Sequence, residues 1–188
     1  MLIAVAVMVW LGVWQLDRLH QKEVKIAQFG ANTGSTGYFD LNRDALIDYP
    51  DYYGRARVFC SGASGIVLVA GRNLKGVAGL AQRVKCDYRS PRGYQAKVDV
   101  VLGWSKELKP VRWSGGYVEG TVVPDSGHFP APWHIVADPP LAGLQANARP
   151  DPRDLPNNHL SYAMQWFLFA LTALVIYALA LRKRLKAG

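Results

Sequence analysis

From Leu160 to Leu181 the chain runs 22 residues without a formal charge. A helix that is apolar on every face has no ordinary place in a small soluble fold. At 1.5 Å per residue this one is about 33 Å long, enough to cross a hydrocarbon layer about 30 Å thick. The stretch predicts a transmembrane helix over residues 159–181. Arg182, Lys183, Arg184 and Lys186 follow it with no acid among them. By the positive-inside rule that tail, residues 182–188, lies in the cytoplasm.

A second apolar block, "LIAVAVMVWLGVWQL", spans Leu2 to Leu16. Fifteen residues reach only about 22 Å, short of the same thickness. No basic stretch follows Met1, and "WQLDRLH" is a poor cleavage site, so a signal peptide fits less well than an uncleaved first membrane helix over residues 1–17 that is short or begins upstream. Two spans put both termini inside and residues 17–158 outside.

The formal charge of +8 is uneven. Arg55 to Arg112 holds 12 basic and 3 acidic residues, or +9. Such a patch would favour anionic lipid headgroups, an acidic protein face or a ligand with carboxylates, unless it is simply a solvated face. Outside a membrane, nucleic acid is not an expected partner. The two cysteines, Cys60 and Cys86, have no Cys-x-x-Cys spacing. Two buried thiols are the default reading; an outward-facing compartment also permits a disulfide.

Between the spans, "DRLHQKEVKIAQF" keeps a helical rhythm, and "GANTGSTGYFDLNRD" breaks it, so residues 18–36 read as helix extension and linker. From Tyr52 the pattern changes to short strands: "YYGRARVFC", "GIVLVAGRN", "LAQRVKCDY", "YQAKVDVVLGW", "GYVEGTVVP" and "PWHIVAD", separated by turn signals. These predict an antiparallel β-barrel or β-sandwich over residues 37–138. Residues 139–158 are proline-rich and return the chain to the bilayer. The fold class expected is thus α+β, with two transmembrane helices flanking a β domain.

Both helices carry polar and aromatic residues at the outer membrane surface. On the first, Trp14 and Arg18 are four apart and share a face, and Gln15, Arg18 and Lys22 form a polar line. On the second, His159, Tyr162 and Trp166 recur at intervals of three and four, with Asn158 placed as N-cap. Aromatic belts and snorkelling arginines account for most of these residues. They account less well for His159, since histidine is no usual belt residue and an imidazole beside apolar surface can ligate a metal.

These doorway residues carry a resemblance. "LGVWQLDRLHQK" resembles the Gly-x-Trp-Gln-x-x-Arg-x-x-x-Lys signature of the surfeit-locus family of cytochrome c oxidase assembly proteins, in its bacterial form. "NNHLSYAMQWF" resembles that family's Asn-Asn-His-Leu-x-Tyr-Ala-x-x-Trp. In the middle, "LGWSK" keeps Gly103 and Trp104 but has Leu102 where the family usually has arginine. The resemblance implies a bacterial inner-membrane protein with a periplasmic β domain. It would handle haem a as cargo for the catalytic subunit of cytochrome c oxidase, with that subunit, the haem a synthesis machinery and membrane lipids as partners. The family's haem-implicated histidine maps to His159, which becomes the candidate iron ligand. Trp14, Tyr162 and Trp166 would then line the porphyrin edge, with Gln15 beside them and Arg18 or Lys22 facing a propionate. His20 is a remote second ligand and reads better as exposed.

The chain carries no Gly-x-Ser-x-Gly, His-Glu-x-x-His or P-loop motif, so binding and transfer are expected rather than catalysis. His128 and His134 read as loop or strand residues rather than a metal pair. The rival from another class is a haem-free scaffold that holds oxidase subunits during assembly. An enzyme acting on a lipid or haem precursor would need a clustered acid–base or nucleophile set, which the sequence does not display.

Overall fold

The computed structural model describes residues 1–43, 50–125 and 132–187. The chain divides into two compact units, one formed by Met1–Ala27 with Leu155–Gly188, the other by Gln28–Asp154. The boundary falls within the first helix.

The first unit is helical. Helix α1 spans Leu2–Asn32 and helix α2 spans His159–Ala187, and both are long and apolar enough to cross a membrane. Most of their large apolar side chains are exposed, Leu160, Leu168 and Ile176 among them, as befits helices that are hydrophobic all round. Pro156 cannot donate to a helix, and α2 starts just after it. The Asn158 carbonyl accepts the first helical bond from the Tyr162 N–H at 3.2 Å, so Asn158 takes the N-cap position expected of it.

The second unit is one seven-stranded sheet. Its strands are β1 (Tyr38–Asp40), β2 (Arg55–Cys60), β3 (Gly62–Arg72), β4 (Ala78–Arg89), β5 (Gln95–Ser105), β6 (Gly116–Pro124) and β7 (Trp133–Ala137). They lie in the order β1-β2-β6-β7-β5-β4-β3. Only Ser61 separates β2 from β3, yet these strands stand second and last in that order. The sheet must therefore curl until its far strands meet, and β2 does come against β4. A barrel-like β domain between two apolar helices is the expected fold class. The pairing departs from expectation in one respect: β1–β2 and β5–β7 are parallel, so the sheet is mixed rather than antiparallel. The β6–β7 hairpin docks on β5 through its second strand, which reverses the direction that direct β5–β6 pairing would have had.

Strands β2, β6 and β7 alternate as half-buried strands must, while β5 is buried continuously from Val100 to Trp104. Ala56, Val58 and Cys60 of β2, Val84 and Cys86 of β4, Val98, Val100 and Leu102 of β5, and Val118, Val122 and Ile135 all face inward and are buried. Leu102, where the resemblance would put an arginine, is wholly buried. Trp104 lies across Gly79, where a Cβ would stand 2.5 Å from the indole ring. Cys60 and Cys86 do not remain thiols; they form a disulfide with a Cα–Cα distance of 5.3 Å. That corrects the default reading, and the curl of the sheet is the reason: it brings two inward-facing positions on non-neighbouring strands together.

Among the described residues, Gln82 is the one large polar side chain fully buried in this core. Its Nε2 donates to the Lys109 carbonyl at 3.0 Å, and its Oε1 accepts from the Val111 N–H at 2.8 Å. One amide thus ties down the segment after β5. Replacing Gln82 by methionine would keep the volume and leave both backbone groups unpaired. Each such group costs about 1–3 kcal/mol. We expect Gln82→Met to lose about 2–4 kcal/mol in urea unfolding, and a change below half a kcal/mol, on the order of ordinary surface substitutions, would show that the tie carries no stability.

Among the described residues, four of the twelve cations between Arg55 and Arg112 pair with acids elsewhere in the domain. Arg57 pairs with Asp40 at 2.9 Å, Arg83 with Asp99 at 2.8 Å and Asp125 at 2.9 Å, Lys85 with Asp99 at 3.3 Å and Lys97 with Asp87 at 3.4 Å. His134 in β7 joins this network through Nδ1, 2.7 Å from Asp125. Burial is the chief cause that lowers its pKa, opposed by Asp125. His128 lies outside the described residues, and among the described residues no cluster of three or more His, Cys, Asp or Glu could hold a metal.

Candidate functional site

Two contacts fix how α1 and α2 face each other. Gly12 of α1 is buried against the ring of Phe167, so close that a Cβ at Gly12 would stand 2.5 Å from Cε1. Nearer the other end, Gln15 of α1 meets His159 of α2, Nδ1 to Oε1 at 2.8 Å. As residue numbers rise along α1 they fall along α2, so the helices run antiparallel. Ala163 and Ala170 of α2 are buried as well, the small-residue face expected where helices approach. Ala180 is exposed and takes no part.

The Gln15–His159 bond has a chemical consequence. An amide oxygen can only accept, so His159 Nδ1 carries the proton and donates it to Gln15 Oε1. In the neutral ring Nε2 then holds the lone pair, the atom that can bind a metal. Metal-ligating histidines are habitually oriented in this manner by a partner on the other nitrogen. Both side chains are partly buried, which shields the bond from competing water.

The other candidates sit around this pair without touching it through any polar contact. Arg18 packs over Trp14, its guanidinium carbon 5.4 Å from the ring centroid, as the four-residue spacing predicts. Its Nη1 donates to Gln21 Oε1 at 2.9 Å, and Gln21 Nε2 in turn donates to Asp17 Oδ2 at 2.7 Å. Arg18 is exposed and its head is directed along its own helix. Tyr162 is 49% exposed and Trp14 40%, so both present aromatic surface outward. Trp166 is partly buried and meets Phe169 edge-on at 6.2 Å. The structure therefore joins His159 with Gln15 and Trp14 with Arg18, while Tyr162 and Trp166 lie on the His159 side of α2. Sequence reasoning did not single out Asn157, whose buried Oδ1 has no hydrogen-bond partner among the described residues. The doubled asparagine before the histidine was the available signal.

Gly12 sets this geometry. A methyl group there meets only the far end of a ring that can turn away, so Gly12→Ala should be mild. Gly12→Leu must push the helices apart, at a cost of about 1–3 kcal/mol for overpacking. We expect its thermal midpoint in detergent to fall and most of the loss to be recovered in Gly12→Leu/Phe167→Ala, a non-additivity that only a direct contact produces. Additive losses would mean that the two residues do not meet.

Comparison with known proteins extends these observations. No curated protein matches the chain. The model of one protein family does, over residues 2–171, which takes in α1, the whole β domain and the first part of α2. The chain accordingly belongs to the SURF1 family.

Proposed function

We propose that this protein is an assembly factor for haem-copper cytochrome c oxidase that binds haem a at the outer membrane interface and aids its insertion into the catalytic subunit. The family is associated with cytochrome c oxidase assembly; the haem step is our reading of this chain. The observation that carries it is the His159–Gln15 bond, which directs one ring nitrogen to a protein amide and leaves the other for a metal.

The cargo has a flat apolar macrocycle, an isoprenoid tail, two propionates and an iron that takes axial nitrogen ligands. His159 Nε2 is the proposed ligand. Exposed Tyr162 and partly buried Trp166, three and seven residues along the same helix, offer apolar surface for a macrocycle edge. Trp14 carries Arg18 on its ring, and a guanidinium so placed can turn from Gln21 to a propionate. A single protein ligand suits a carrier, because one axial bond is easier to give up than two. The function is binding and release, with no bond made or broken in the cargo itself. The proposed setting is the bacterial inner membrane with the β domain in the periplasm, supported by the basic tail and by a disulfide, which persists in oxidising compartments.

The experiment is a haem spectrum of the full chain, purified in detergent from cells that make haem a. Near-stoichiometric haem a with a Soret band is the expected result. Protein that arrives folded and colourless from such cells overturns the carrier reading in favour of the haem-free scaffold.

A further inference from the structure

Three arginines are partly buried among the described residues: Arg55, Arg57 and Arg83. Arg57 and Arg83 are each held by aspartates. Arg55 pairs with no carboxylate among the described residues, and its Nε is buried without a hydrogen-bond partner. Its guanidinium is nevertheless fixed, because it stacks over the Tyr38 ring with 4.8 Å from Cζ to centroid. That ring is supplied by the neighbouring strand, where Tyr38 stands in register with Arg55. A stacked guanidinium keeps its donors free in its own plane, the arrangement suited to a planar or tetrahedral oxyanion.

Arg55 faces a cleft of about 310 Å³ on the outer side of the sheet, roofed by the segment after β7. A second cation, Arg149, comes from that roof. Asn147 beside it has a buried Nδ2 with no hydrogen-bond partner among the described residues, a second unspent donor on the same lining. Thr121 and Tyr53 add hydroxyl groups. Burial, with Asp154 and Asp151 contributing, raises the Tyr53 pKa, so its phenol stays an O–H donor at neutral pH. Tyr53 also holds a φ of 63°, a conformation rare for a bulky side chain and commoner at binding sites. Asp138 is the acid on the lining, which leaves two positive charges against one negative.

We propose that this cleft binds a small oxyanionic group, a phosphate or carboxylate, gripped between Arg55 and Arg149. The volume sits at the low end for ligand sites, which run from about 300 to 1,000 Å³, so the occupant is a small metabolite or a lipid headgroup rather than a large cofactor. The site lies wholly within the β domain and does not depend on the haem reading.

Thermal unfolding of the full chain tests it, since a ligand that binds only the folded state raises the midpoint. In neutral detergent, inorganic phosphate or succinate should raise the midpoint of the wild type beyond chloride at matched ionic strength. That gain should vanish in Arg55→Gln and in Arg149→Gln, the latter an exposed position where folding is not at stake. In a second arm, nanodiscs of phosphatidylglycerol are compared with phosphatidylcholine. A charge-dependent gain only there, lost in Arg149→Gln, identifies a headgroup as the source. A gain that chloride reproduces, a gain that survives both arginine variants, or no gain in either arm overturns the proposal.

Discussion

His159→Ala will leave the protein folded and strip it of haem. His159 opens α2 at a partly buried position, and the Gly12–Phe167 contact that packs the two helices does not involve it, so its removal should change the thermal midpoint by little. Its loss deletes the proposed iron ligand. Haem content should drop to background, and imidazole added to the detergent buffer should restore part of the Soret band. Gln15 gives a finer test. Orienting partners of metal-bound histidines are worth about 10–100-fold in affinity. Gln15→Leu should therefore bind haem about tenfold or more weakly with His159 intact, whereas Gln15→Glu, which still accepts from Nδ1, should lose less. Haem retained by His159→Ala at the wild-type ratio would remove His159 from the site, whatever the family.

The helices were legible because each carries a long, nearly unbroken apolar run, the pattern a bilayer demands of a helix that crosses it. The strands were legible from alternation: Val84 and Cys86 point inward, and Gln82, two residues before Val84, falls on the same face and is buried there. Other features depend on information that no local window holds. Strand β1 is three residues long, too short for alternation to show amid glycines. The parallel β5–β7 pairing depends on which strand of a hairpin docks. His159 and Gln15 were each picked out at their own doorway, but 144 positions separate them. Their meeting depends on how each helix is rotated, which the Gly12–Phe167 contact sets. The same holds for charge. Counting residues gave a basic patch, but which cations meet an acid depends on how the strands pair, and among the described residues that pairing leaves partly buried Arg55 without an answering acid.

The disulfide joins these lines, since it reports the curl of the sheet and offers a test of the compartment proposed for the domain. Cys60 ends β2 and Cys86 lies within β4, strands that do not hydrogen-bond to one another, and both side chains are almost wholly buried. Closing a loop of 26 residues restricts the unfolded chain by about 3–4 kcal/mol. Against a total of about 5–15 kcal/mol for a domain, that is a large share. Cys60→Ala/Cys86→Ala should lower the thermal midpoint by roughly 10 °C or more, at about 2–8 °C per kcal/mol across domains of this size range. The sealed bond should resist reductant until the domain is unfolded. The compartment is tested in intact cells by quenching with acid and then alkylating the unfolded protein. If the β domain faces the periplasm, neither cysteine is modified until reductant is added. Free thiols at both positions would place the domain in a reducing compartment, reverse the topology inferred from the tail, and turn His159 toward the cytoplasmic side.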